Sequence, residues 1–238
     1  MEGNSVVSEG LPFIYEDNHV LVVNKPAGLL SQGDLSGDLD VLTFAKEIIK
    51  KRDKKPGNVF LGLVHRLDRP VGGVMVLAKT SKCASRLSKQ FRERTTQKIY
   101  YAIVEGIPKT PEAELCHFLK KNTATRITQI TGESEGKEAR LYYRTVNTYN
   151  NRSLLEIRLI TGLSHQIRAQ LSASGCPIVG DMKYGSLTKF GFGEIALFAK
   201  SVSFIHPTTN KNVLIEADLP QTKHWELYSK IFSTRKNL

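Results

Sequence analysis

Chemistry is concentrated first in the segment Val64–Gly73, which reads Val-His-Arg-Leu-Asp-Arg-Pro-Val-Gly-Gly. Asp68 stands between Arg66 and Arg69, and cationic neighbours favour the charged form of a carboxylate. A loop carboxylate held as an anion can be a nucleophile, a metal ligand or a structural anchor. A salt-bridged surface loop is the plain alternative. His65 precedes Asp68 by three positions, but no second His/Asp/Glu cluster with ligand spacing accompanies it, so a metal site has little support. A second segment, Thr161-Gly162-Leu163-Ser164-His165-Gln166-Ile167-Arg168, gathers hydrogen-bonding side chains at the expected start of a helix. Such a corner can hold RNA or phosphate, or it can be a capped surface helix. In a third, Lys98–Gly106, strand alternation sets Tyr100, Ala102 and Val104 on one face and Tyr101 and Ile103 on the other. Tyr100 can then offer its ring to a base, though a core tyrosine is the commoner case.

The sequence lacks a Gly-x-x-x-x-Gly-Lys-Ser/Thr loop, a Gly-x-Gly-x-x-Gly loop and a Gly-x-Ser-x-Gly elbow, so nucleotide-cofactor and serine-hydrolase chemistries lose support. Short apolar runs alternate with helical patterns around the first segment. Val20–Val23, Leu61–Val64 and Val74–Ala78 read as strands. Asp40 caps a helix to Lys51, and a second helix spans Ser81–Arg94 with Ala84, Leu87 and Phe91 inward. Lys82, Arg86 and Lys89 then form a row on another face, within a stretch from Lys79 to Lys98 that is rich in basic residues. From Lys98 onward β-branched and aromatic runs dominate, with a turn at Asn150-Asn151. Ser164 is the expected cap of a helix that ends at Gly175 and Pro177, and a last helix is expected over 224–232. Consecutive strands with few helices predict an α+β domain on a large, mostly antiparallel mixed sheet with flanking helices and loops.

The chain has 238 residues, 34 Lys and Arg against 23 Asp and Glu, and a formal charge of +11, with 40% hydrophobic residues. That mix excludes disorder as the main state, and the surplus charge favours a polyanionic partner. Cys83, Cys116 and Cys176 are too few and too scattered for a disulfide scaffold, which fits a reducing cytoplasm. Neither a signal peptide nor an apolar run near the ~18 residues of a membrane span is present, so no membrane partner is expected.

Four motifs in order resemble the RluA-type pseudouridine synthases, enzymes that isomerise uridine in ribosomal and transfer RNA. They are Asn24-Lys25-Pro26-Ala27-Gly28; His65-Arg66-Leu67-Asp68-Arg69 with Gly73; Lys98-x-Tyr100-x-Ala102-x-Val104-x-Gly106; and Thr161-Gly162 with His165-Gln166-Ile167-Arg168, Gly175-x-Pro177-Ile178-x-Gly180-Asp181 and Tyr184-Gly185. The resemblance implies the pseudouridine synthase fold with an active-site cleft across the sheet. It makes Asp68 the catalytic aspartate, Tyr100 the tyrosine on the target uracil, and Arg168 the basic partner of the aspartate. Arg66 becomes the residue that fills the place of the flipped uridine, and Ile167 an apolar wall. His65, Arg69, His165 and Gln166 are expected near RNA, and Lys82, Arg86 and Lys89 along its path. An RNA partner (rRNA or tRNA), no cofactor, no metal and a monomer are expected. So is a single catalytic domain over 1–238 with a core at about 11–232 and no S4-type RNA-binding domain.

The isomerisation breaks the N1–C1′ bond, turns the base and rejoins it through C5, which requires the base to leave its stack. Two departures stand out. Pro70-Val71-Gly72 replaces the family's Asp-Thr-Ser, and Leu163 stands where the family often has Arg or Lys. These changes motivate an RNA-binding module without chemistry as one alternative. A glycosidase using Asp68 is another, weakened by the lack of an evident second carboxylate.

Overall fold

The computed structural model describes residues 10–222 and 224–227. In chain order the elements are β1 (Phe13–Glu16), β2 (Val20–Lys25), α1 (Val41–Arg52), β3 (Gly62–Leu63), β4 (Gly72–Ala78), α2 (Ser81–Arg92), β5 (Gln97–Glu105), β6 (Glu112–Lys121), β7 (Thr128–Thr131), β8 (Lys137–Tyr149), β9 (Arg152–Leu159), α3 (Gln166–Ala173), β10 (Leu197–Ile205) and β11 (Asn212–Glu216). A single 3-10 turn occupies Met182–Tyr184. Of the expected last helix, His224–Leu227 is helical and the remainder lies outside the described residues. Contacts gather into two compact units. Of the described residues, one unit holds those up to Gln97 with Phe192–Glu194 and Ser201–Ala217, and the other holds Lys98–Gly191, Ile195–Lys200 and those from Asp218.

In the first unit, β2 and β4 pair antiparallel with Val22 opposite Val76 and Lys25 opposite Gly73. Both strands are apolar runs buried along nearly their whole length rather than alternating, as central strands covered on both faces are. β1 pairs with β2, and β11 with β10, also antiparallel. Helix α1 begins where expected: the Asp40 carboxylate accepts from the Thr43 N–H at 3.0 Å, and Val41, Ala45 and Ile49 are buried. Helix α2 is capped by Thr80, which accepts from the Cys83 N–H at 3.1 Å. It stops at Arg92 rather than Arg94, because Arg94 takes a left-handed conformation (φ 61°) that no helix continues through.

In the second unit, β5 pairs with β9, β9 with β8, β8 with β6 and β6 with β7, all antiparallel. Asn150 and Asn151 make the β8–β9 turn with φ 48° and 54°, the doubly left-handed form that matches strand twist. β5 is buried from Tyr100 through Val104 on both faces, so it is a central strand and Tyr100 is a core tyrosine. Helix α3 corrects the expected cap. It starts at Gln166, and the cap position is His165 (φ 52°), with no side-chain cap bond. Ser164 is displaced because Gln166 folds back instead. Its Oε1 accepts from the Thr161 hydroxyl at 2.7 Å and the Leu163 N–H at 3.1 Å. His165 therefore does not share a helical face with Arg168, and α3 is buried from Gln166 to Leu171 rather than a surface helix.

The fold is α+β, and antiparallel pairing runs through each unit. Among the described residues no helix is long and apolar enough to cross a membrane.

Candidate active site

Asp68 lies in the connection between β3 and β4, and this connection is held through its backbone. The buried Ser31 hydroxyl donates to the Leu67 carbonyl at 2.7 Å and accepts from the Leu67 N–H at 3.1 Å. The Gly28 N–H donates to the Arg69 carbonyl at 2.8 Å, and Arg69 Nε returns a bond to the Gly28 carbonyl at 3.0 Å. Gly28 adopts φ 84°, open to glycine without strain, so the 24–28 turn can present both groups to Arg69. A turn follows, closed by the Val71 N–H on the Asp68 carbonyl at 3.0 Å. Asp68 is half-buried and Arg66 is exposed. The Arg69 guanidinium reaches Asp38 at 2.7 Å in an exposed pair.

Beneath this loop Lys25 is almost fully buried. Its Nζ donates to three carbonyls: Leu29 at 2.6 Å, Pro26 at 3.0 Å and Arg69 at 3.2 Å. Burial pulls its amine down to about 7, with the Asp68 and Glu194 charges opposing and Arg69 reinforcing the shift. Glu194, half-buried itself, is pushed up by desolvation and pulled back by Lys25. A cation near its neutral point thus ties the backbone that carries Asp68 to the end of β2.

His65 joins the same loop to α2. Its Nε2 accepts from the Val76 N–H at 2.9 Å, so the proton sits on Nδ1. Its ring stacks on Phe91 with centroids 4.5 Å apart and planes 14° from parallel. His65 is therefore an internal brace. On the opposite face of α2, Lys82, Arg86 and Lys89 are all exposed. An Arg86 guanidinium nitrogen donates to the Pro207 carbonyl, and Lys89 lies 3.8 Å from Glu93. The basic stretch expected from Lys79 to Lys98 is shorter than the sequence suggested. Lys79 is taken by Glu16 at 2.8 Å and the Asp17 carbonyl at 2.6 Å. Lys98 is buried, with its Nζ at 3.5 Å from the Thr161 carbonyl.

In the second unit Arg168 is buried and bidentate to Asp181, with Nε–Oδ2 at 2.6 Å and Nη2–Oδ1 at 2.8 Å. Its guanidinium also lies over the Tyr184 ring, 4.9 Å from the centroid. The Tyr184 hydroxyl accepts from the Thr128 N–H at 2.8 Å and is also hydrogen-bonded to His165 Nδ1 at 2.8 Å. Gln166 is buried and all its amide capacity is used. Oε1 accepts twice, as above, and Nε2 donates to the Arg140 carbonyl at 3.1 Å and to Gln170 at 3.0 Å. Its side chain thus builds the 161–166 loop. Ile167 is buried on α3 and Tyr100 is buried on β5. Tyr100 stands opposite Ile157 of β9.

Sequence reasoning assigned no role to Lys25, Ser31, Asp181 or Tyr184. Their only signal was membership, for three of them, in the resembling motifs. Among the described residues no group of three or more His, Cys, Asp or Glu side chains is placed to hold a metal ion.

The pattern of the RNA pseudouridylate synthase family matches residues 19–173. The ribosomal large subunit pseudouridine synthase C of Buchnera aphidicola subsp. Schizaphis graminum is 35% identical over 214 residues, which is 87% of this chain and 66% of that protein. The ribosomal large subunit pseudouridine synthase D of Zymomonas mobilis is 33% identical over 222 residues, or 89% of this chain and 70% of that one. The chain spans about two thirds of the length of these relatives. Among solved structures, human RNA pseudouridylate synthase domain containing 4 superimposes with a TM-score of 0.75 at 23% identity, covering 94% of this chain and 93% of that one, and so supports the fold. A pattern matched over most of the described residues, with relatives above 30% identity along the same stretch, makes this chain a member of the RNA pseudouridylate synthase family, in its RluA-type branch.

Proposed function

We propose that the chain isomerises specific uridines of RNA to pseudouridine, with Asp68 as the catalytic carboxylate. The observation that carries this reading is the Asp68 connection itself. Its flanking residues Leu67 and Arg69 are bound by Ser31, Gly28 and Lys25, leaving the side chain between two fixed backbone points. Ribosomal RNA is the first substrate class to test, since the relatives above are named for the large ribosomal subunit. Transfer RNA is the second.

Three requirements of the reaction have candidates. The uridine must leave its stack, at a cost of a few kcal/mol. Arg66, exposed next to the fixed Leu67, can enter the vacated space and offset part of that cost. The N1–C1′ bond must break with no incoming water. Asp68 acts either as a nucleophile on the sugar or as the partner of an elimination to a glycal. The detached uracil must be kept in place and dry while C5 replaces N1. Tyr100 and Ile167, one aromatic and one aliphatic, supply that wall, and Tyr100 is the candidate to take the C5 proton. The role of Arg168 as partner of the Asp68 carboxylate rests on the family resemblance. What the Asp181 pair adds is that the guanidinium is oriented before RNA arrives, so little ordering remains for the bound state.

The test is tritium release from RNA labelled at uridine C5. Asp68→Asn is expected to lower the rate by at least ~10³-fold while leaving RNA affinity within about threefold. An Asp68→Asn enzyme of normal rate would remove Asp68 from the mechanism.

A further inference from the structure

A groove of about 280 Å³ opens in the second unit, where β6, β7 and β8 run past the start of α3. Its floor is apolar, made by Leu119 and Leu163, which pack into the cluster of Ala139, Ala169 and Tyr184. Strand register sets its rim. Lys137 stands directly opposite Leu119, and Lys121 lies two residues beyond Leu119 and opposite Thr128, so these four side chains share one face. On that face Leu119 and Thr128 are each 3% exposed, whereas Lys121 and Lys137 at its rim are exposed. The intervening Lys120 alternates to the other face of β6 and is paired with Glu135 at 3.3 Å. Among the described residues Lys121 and Lys137 have no carboxylate partner. The groove therefore combines a pre-formed apolar floor with two unneutralised cations. Its size is at the small end of the roughly 300–1,000 Å³ that ligand sites span, the scale of one nucleotide rather than a folded segment.

We propose that this groove seats one nucleotide of the RNA flanking the target uridine, with its base or ribose on Leu119 and Leu163 and its two flanking phosphates on Lys121 and Lys137. The inference rests on the reading of the chain as an RNA-modifying enzyme. Charge and chain continuity favour this occupant. A polyanion neutralises Lys121 and Lys137. The Leu163–Ser164 wall also runs directly into His165–Arg168, the segment expected to meet the uridine. Leu163 cannot drift, because the Gln166 side chain holds its N–H at 3.1 Å. A leucine here supplies contact area where a lysine or arginine would supply charge, so the lysines across the groove carry the phosphate contacts.

The experiment compares the full chain with Lys121→Ala/Lys137→Ala, using fluorescein-labelled oligouridylate of about twelve nucleotides, within the span of single-strand sites. Loss of two phosphate contacts is expected to make the slope of log K against log salt shallower by about 1.4. It should weaken binding about tenfold at low salt. Lys120→Ala, whose amine is already paired, is expected to change binding less than twofold. An unchanged slope in the double variant, or an equal loss in Lys120→Ala, overturns the groove. Pseudouridine formation by the unmutated chain on RNA from cells lacking the gene is measured alongside. No product there sinks the proposed function but leaves the slope comparison to judge the groove. Product with an unchanged slope sinks the groove and leaves the function standing.

Discussion

The connection that carries Asp68 and the helix that carries Arg168 are made rigid by opposite means. The connection has one internal turn bond, Val71 N–H to the Asp68 carbonyl, so side chains from elsewhere in its unit must hold the rest of its backbone. Ser31 takes both polar groups of Leu67, and Lys25 takes the carbonyl of Arg69. Helix α3 already satisfies its own backbone, so the side chains are what is tied: Arg168 by Asp181 and Tyr184, and Gln166 by four partners. The difference teaches where each part is vulnerable. A loop is lost through its carbonyls and amides, whereas a helix-borne guanidinium is lost through its counter-ion.

Asp181→Ala tests the helix side and should have the largest effect on stability. It leaves a buried guanidinium without its carboxylate, at a cost of about 3–5 kcal/mol, read from the denaturant midpoint. A loss below ~1 kcal/mol would mean that other groups hold Arg168. Ser31→Ala tests the loop side. It strands one buried N–H and one buried carbonyl, for about 1–3 kcal/mol, and is expected to lower kcat more than Asp181-remote surface changes do. Equal kcat would show that the Asp68 backbone is fixed without it. The two regions should also differ with pH. Lys25 sits near 7 in the folded chain against an ordinary 10.5. Between those values the unfolded chain holds the extra proton, so stability rises with pH and levels off above them. The rise from pH 7 to about 9.5 should be present in the unmutated chain and smaller in Lys25→Met; parallel curves would detach it from Lys25. The smallest effect is expected outside both regions, on α2. Lys82→Ala/Arg86→Ala/Lys89→Ala should weaken RNA binding and flatten its salt dependence with single-turnover rate unchanged at saturating RNA. An unaltered slope would make that row ordinary surface charge.

Much of the scaffold was legible in the residues. Asp40 announced α1, the Asn150-Asn151 pair announced its hairpin, and the apolar runs of β2 and β4 announced strands, because each is a local preference with a local cause. The start of α3 was misread for a physical reason. Ser164 is the better intrinsic cap, but Gln166 reaches back to Thr161 and Leu163, a bond made only once the loop is folded. Charge counting failed in the same way. Lys79 and Lys98 add to the basic total, yet one faces Glu16 and the other is buried against Thr161. The order of motifs made Asp68 and Tyr100 stand out. It was silent on Ser31, whose hydroxyl acts across 36 residues of chain.

Strand β5 has a consequence in time as well as in space. It is hydrogen-bonded to β9 along one edge, while on the other Ile103 N–H donates to the Ala196 carbonyl and Glu105 N–H to the Pro177 carbonyl, and its side chains from Tyr100 to Val104 are buried on both faces. Amides in such a strand exchange with solvent only when the cooperative unit around them opens as a whole. Tyr100 is thus carried on a segment that keeps its shape through the small, frequent openings that loops and termini undergo. The ring proposed to hold the severed uracil is in this way mounted on one of the slowest-opening segments of its unit.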